Sequence, residues 1–138
     1  TMQERYIGYS DALRRRGETI DPDLVSTSAH SEEDAYAAAL MLLRAGKATA
    51  IFAANNRATI GALRAFAEER IRLPLIGFDE FEAATLVQPA VSVVSQDAQG
   101  MGRLAAEVVL QRLAPDDTSA TRFEVLSTTL VLRGSETS

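Results

Sequence analysis

The sequence predicts an α/β domain on a doubly wound, mainly parallel sheet with helices on both faces. Three observations carry that prediction. Apolar runs of strand length alternate with longer segments of helical spacing. Those runs are mostly apolar rather than alternating, as strands covered by helices on both sides are. Each of the three ends in a polar side chain: Ala50 to Ala54 stops at Asn55 and Asn56, Leu73 to Phe78 at Asp79, and Val91 to Ser95 at Gln96. In a parallel sheet these ends share one edge, where open α/β folds bind ligands. The chain therefore reads as a receptor for something small and polar.

The elements follow in order. Residues 3 to 16 place Tyr6, Tyr9 and Leu13 on one helical face, and Gly17 supplies a left-handed stop. Asp21-Pro22-Asp23 predicts a turn into a short strand from Leu24 to Thr27. Ser31 with Asp34 three residues on has capping-box spacing, opening a helix through Ala35, Ala39, Leu42 and Leu43 to Gly46. The strand Ala50 to Ala54 leads to a helix from about Arg57 to Glu69, then to the strand Leu73 to Phe78. After Asp79 a short segment, Phe81 to Leu86, is broken by Pro89 before the Val91 strand. A helix from about Ala98 to Leu113, a polar loop over 116 to 119, and a terminal strand or bent pair from Phe123 to Leu132 complete the series. The first helix has no strand before it, although such helices cross over between parallel strands, so a segment upstream is expected.

Composition narrows the function classes. With 138 residues and 46% hydrophobic content, the chain buries one core, as one domain or part of a larger one. Its formal charge of −5 argues against nonspecific attraction to nucleic acid. The single basic run, Arg14-Arg15-Arg16, precedes a helix end, where cations oppose the negative end of the dipole. No cysteine means no disulfide and no thiolate metal site, and no metal or cofactor is expected. No apolar stretch approaches transmembrane length and the first residues are not a secretory signal, so a cytoplasmic protein away from the membrane is expected.

Catalytic motifs fail on inspection, and no catalytic residue is assigned. Gly100-Met101-Gly102-Arg103-Leu104-Ala105 spells the dinucleotide pattern, but its first glycine must sit in the turn directly after a strand, and six positions separate Gly100 from Val94. Asp97 instead caps a helix running through those glycines. There is no phosphate-binding G-x-x-x-x-G-K and no G-x-S-x-G elbow. Glu32-Glu33 and Glu68-Glu69 are adjacent on helices and do not converge as an acid/base pair must.

The ordered segments Glu4 to Leu13, Thr49 to Asn56 running on to Ala65, Gly77-Phe78-Asp79-Glu80, Gln96-Asp97, Met101 to Ala106 and Leu130 to Ser135 resemble the effector-binding domain of LacI-type transcriptional repressors, which is similar to periplasmic sugar-binding proteins. The likeness covers essentially this whole chain but only the second half of a family member. It departs from the pattern between Pro74 and Gly77, where the family has several more residues. The resemblance implies that residues 1–96 and about 122–135 form the C-terminal lobe, and that about 98–121 supply a crossover helix and loop of the other lobe. It also implies that a helix-turn-helix and an N-terminal lobe belong to the intact protein, so operator DNA is contacted only through a domain outside this chain. The implied function is sensing a sugar or sugar derivative between two lobes, in a homodimer whose contacts involve Arg57, Ile60, Arg64, Phe81 and Leu86. The alternative is a solute-binding component of a sugar transporter.

The site residues follow from chemistry and resemblance together. Asp79, a carboxylate at a strand end, accepts hydrogen bonds from two neighbouring hydroxyls, which suits a sugar diol; capping the next turn is its structural alternative. Asn55 offers a donor and an acceptor, set against a role as N-cap, and Asn56 ranks below it. Arg5 resembles the family's effector-binding arginine, whose planar fork is expected to pair with Asp79 when the pocket is empty. Gln96 stands where the family's chain crosses between lobes. His30 is either an exposed loop residue or occupies a position where relatives place an aromatic ring on the effector. Ala98 replaces a bulky ring found in some relatives.

Overall fold

The computed structural model describes residues 2–29, 31–114, 120–121 and 123–137. Among these residues four helices and four strands run as α1 (Met2–Arg15), α2 (Glu32–Ala45), β1 (Ile51–Ala53), α3 (Asn56–Glu69), β2 (Leu75–Phe78), β3 (Ser92–Gln96), α4 (Ala98–Arg112) and β4 (Thr128–Val131), with 3-10 turns at Pro22–Leu24 and Glu82–Thr85. The sheet order is β1-β2-β3-β4. The first three strands are parallel, with Ile51 opposite Leu75 and Ile76 opposite Ser92, and β4 returns antiparallel with Gln96 opposite Thr128. This is the mainly parallel α/β sheet the sequence predicts.

Local chemistry sets most boundaries. The Ser31 hydroxyl accepts from Asp34 N and the Asp34 carboxylate accepts from Ser31 N, closing the capping box of α2. Gly46 at φ 66° ends that helix, a left-handed position that glycine adopts without a Cβ penalty. Two expected strands come out differently. Leu24 to Thr27 makes no ladder, because Asp21 accepts from Asp23 N and Pro22 starts a 3-10 turn in its place. The terminal strand is only Thr128–Val131, since its partner β3 ends at Gln96, leaving Phe123 and Val125 exposed with no strand beside them.

α2 and α3 cover one face of the sheet, and α1 crosses the other, where Phe52 stays 41% exposed. Consecutive strand residues point to opposite sides, and Gly77 meets Thr59 of α3 while Phe78 meets Arg5 of α1. On the α3 side the core joins Ala39, Leu43, Ala53, Phe66, Leu75 and Val93. Small residues let α2 and α3 approach closely: a Cβ built on Gly61 would lie 2.6 Å from the Tyr36 backbone nitrogen. The outer side of this pair carries ion pairs from Arg64 to Glu32 and Glu33 and from Arg44 to Glu69, whose contribution solvent screening keeps small.

The chain end is fastened into the sheet. Ser135 Oγ donates to Leu75 O at 2.6 Å and accepts from Ser92 N at 2.8 Å, and Leu75 N donates to Ser135 O at 2.7 Å. All three groups are buried with their hydrogen-bonding needs met, as burial of polar groups requires.

Candidate functional site

The three parallel strands end together, and four of the expected site residues meet along that rim. Asn55 follows β1, Asp79 follows β2, and Gln96 closes β3. Arg5 arrives from α1 on the Phe78 side. All four are partly exposed.

Asp79 is held with unusual firmness. Its φ of 73° is left-handed, which costs a non-glycine residue roughly 1–2 kcal/mol, though aspartate tolerates it better than most. Its amide donates to Val94 O at 3.0 Å, and its Oδ1 accepts from Gln96 Nε2 at 2.6 Å. The last residue of β3 thus orients the carboxylate at the end of β2. This leaves the second carboxylate oxygen as an acceptor at a partly open rim.

Arg5 does not make the expected pair with Asp79. Its Nη1 donates to Ala54 O at 2.5 Å, and its guanidinium lies 3.5 Å from the Phe78 ring centroid. A cation over an aromatic face is attracted by the ring quadrupole, and the Ala54 carbonyl at the end of β1 is a ready acceptor. Arg5 therefore joins β1 to β2, and the amide of Gln96 takes the place on Asp79 that was expected for it. Phe78 was not singled out in the sequence, since only the crossing of α1 over β2 makes it the arginine's seat.

Asn55 is the N-cap of α3, its Oδ1 accepting from Ala58 N at 2.8 Å. Asn56 accepts from Arg57 N at 2.8 Å. The cap uses Asn55's oxygen and leaves its Nδ2 near Met2 Sδ at 3.7 Å, so the same side chain ends the strand, starts the helix and keeps a donor on the rim. Asp97 caps α4 through Gly100 N at 2.8 Å, which puts Gly100 and Gly102 inside a helix rather than in a phosphate-binding turn. His30 lies outside the described residues.

A recess also lies beside the rim. A cavity of about 840 Å³ runs beside the free edge of β1, between α1, the 18–29 segment and α2, lined by Tyr6, Tyr9, Leu13, Leu42 and Phe52. It touches Arg5 and Ala54 but not Asn55, Asp79 or Gln96. Its mainly apolar wall offers volume, whereas the rim offers converging donors and acceptors, and orientation of a polar ligand needs the latter. Among the described residues no cluster of acids and histidines could hold a metal.

Of the expected interface residues, Arg64 is occupied within the chain by Glu32, Glu33 and the Tyr36 ring at 4.6 Å. Arg57 is exposed, Ile60 and Phe81 are half-buried, and Leu86 is 79% exposed.

Residues 1–136 match the family model described as a periplasmic binding protein-like domain. The transcriptional repressor PurR of Haemophilus influenzae is 30% identical over 142 residues, covering 98% of this chain and 42% of the repressor. The transcriptional regulator CelR of Thermobifida fusca is 33% identical over 137 residues, covering 96% of this chain and 40% of that protein. The chain thus spans about two fifths of the length of these curated relatives. Among solved structures, a CelR–cellobiose complex superposes with a TM-score of 0.86 at 32% identity, covering 96% of this chain and 42% of that one. A LacI-family regulator from Sanguibacter keddieii does so at 0.86 and 28%, covering 97% and 52%. Among the described residues no helix is long and apolar enough to cross a membrane.

Proposed function

We propose, since the chain belongs to the periplasmic binding protein-like domain family and its relatives are LacI-type regulators, that it is the C-terminal part of the effector-sensing domain of a transcriptional regulator. In this reading a small sugar-like molecule is held at the rim formed by Arg5, Asn55, Asp79 and Gln96, with His30 as a further contact. The observation that carries the reading is the Gln96–Asp79 bond at 2.6 Å across the strand ends, because it fixes an acceptor where a ligand hydroxyl can reach it. The structure of CelR with cellobiose supports a sugar over other polar ligands. The relatives are regulators of transcription, so the transporter alternative is not favoured.

The remaining parts of the reading follow. Residues 1–96 and about 122–135 form one lobe, and 98–121 belong to the other. In support, α4 has no buried residue and leaves Val109, Leu110 and Leu113 between 57% and 74% exposed. Sensing works through differential affinity of the effector for two arrangements of the lobes, which shifts operator binding made elsewhere in the protein. A second copy docks on Arg57, Ile60, Arg64, Phe81 and Leu86, where the exposed Leu86 is the apolar anchor. A cytoplasmic location goes with this role.

The test is a melting-temperature screen of the full-length protein against sugars and purines. A ligand that binds only the folded state raises the midpoint, by about 2.7 kcal/mol in stability at a hundred times its Kd. Asp79→Ala should keep its fold and lose that rise. An unchanged rise in the variant removes Asp79 from the site.

A further inference from the structure

Arg133 touches nothing along the rim, yet it is tied to the residue that follows Asp79. Its guanidinium forks onto Glu80, Nη2 to Oε1 at 2.6 Å and Nη1 to Oε2 at 3.0 Å, and Nη1 also donates to Val91 O at 3.1 Å. The Arg133 amide donates to Ser92 Oγ at 2.8 Å. One side chain therefore joins three separate stretches: the segment after β2, the start of β3 and the residues after β4. Beyond Asp79 the chain folds back along β3, because Val91 N donates to Ala84 O at 2.7 Å. The reversal begins at the left-handed Asp79 itself.

A left-handed aspartate persists only where its surroundings over-determine it. On one side of the turn Asp79 is fixed by Val94 O and Gln96. On the other side the charged anchor is the two-pronged bond from Arg133 to Glu80, and a planar fork restricts orientation as a single bond does not. The arginine is 20% exposed and the glutamate 44%, so the pair restrains the turn through its fork geometry rather than through a screened charge attraction. The Arg133 proton is held more tightly than usual by the Glu80 hydrogen bonds.

We propose that Arg133 is a positioning residue for Asp79: by gripping Glu80 it holds the left-handed turn that aims the Asp79 carboxylate along the rim toward Gln96. This rests on the reading of Asp79 as a ligand contact for its consequence in sensing, but the geometry stands without any ligand. A substitution at Arg133 or Glu80 then loosens the site although neither side chain reaches the effector.

Hydrogen exchange followed by mass spectrometry on the full-length protein tests this in the absence of effector, so failure of the sensing reading leaves the result intact. Arg133→Gln and Glu80→Gln are compared with the unaltered protein. The expected result is faster exchange, by about tenfold, in peptides covering residues 77–81 in both variants, with peptides from α2 and α3 unchanged, the mark of a local opening. Glu80→Gln leaves in place the groups that Arg133 bonds at Val91 O and Ser92 Oγ, so it separates the turn from the chain-end clamp. Three results would overturn the proposal: acceleration confined to residues 90–94 and 133–136, equal acceleration in all peptides, or no change at 77–81 in Glu80→Gln.

Discussion

Replacing Gly61 by alanine should destabilise the protein, although helix propensity alone says the opposite. Gly61 lies inside α3 and is buried against α2. A Cβ there would sit 2.6 Å from Tyr36 N, 2.8 Å from Ala35 Cβ and 2.9 Å from Ala35 C. Two of these three atoms are backbone, so no rotamer change relieves the contact and the helices must part. Overpacking of this kind costs about 1–3 kcal/mol, and rigid backbone neighbours place it toward the upper end. The gain from glycine to alanine in a helix is about 1 kcal/mol. The net loss is then about 1–2 kcal/mol, or roughly 2–8 °C in Tm at about 2–4 °C per kcal/mol. Gly8 is the internal control. It too lies within a helix, α1, but a Cβ there meets nothing within 4 Å, so Gly8→Ala should stabilise by about 0.5–1 kcal/mol. Both variants can be measured by differential scanning calorimetry. A Tm for Gly61→Ala equal to or above that of the unaltered protein would refute the close α2–α3 approach.

Substitutions at two further residues separate roles that share a side chain or a proton. Asn55→Asp keeps the oxygen that caps α3 and should retain stability, whereas Asn55→Ala should lose about 1 kcal/mol; both lose the Nδ2 donor, and effector titration should show weakened binding in each, with full affinity in Asn55→Asp counting against that donor as a contact. The Glu136 carboxyl is held below the usual glutamate range, first because the Ser92 hydroxyl donates to it, with backbone N–H groups, Gly134 among them, adding to the effect. A lowered folded-state pKa contributes stability above the ordinary glutamate value that is lost as pH falls through the depressed one. The Tm gap between the unaltered protein and Glu136→Gln should therefore be present at neutral pH and close as acid is added through and below that range; a gap that persists unchanged would show that Ser92 does not favour the ionised form.

The sequence alone determined the alternation of helix and strand, the helix stops at Gly17 and Gly46, the Ser31–Asp34 capping box, and the alignment of Asn55, Asp79 and Gln96 along one edge. These follow from side-chain periodicity and from hydrogen bonds within a few residues, which any local reading captures. Strand existence was less legible. Val25 to Thr27 has strand-like residues but no partner, and β4 is only as long as the stretch of β3 that pairs with it, since a strand is defined by a neighbour the local sequence does not name. Tertiary structure alone decided which group holds Asp79, seated Arg5 on Phe78, and gave Arg133 its grip on Glu80. Those contacts join residues 17, 53 and 73 positions apart, and charge or shape at one position does not say which of several complementary groups the fold will bring beside it.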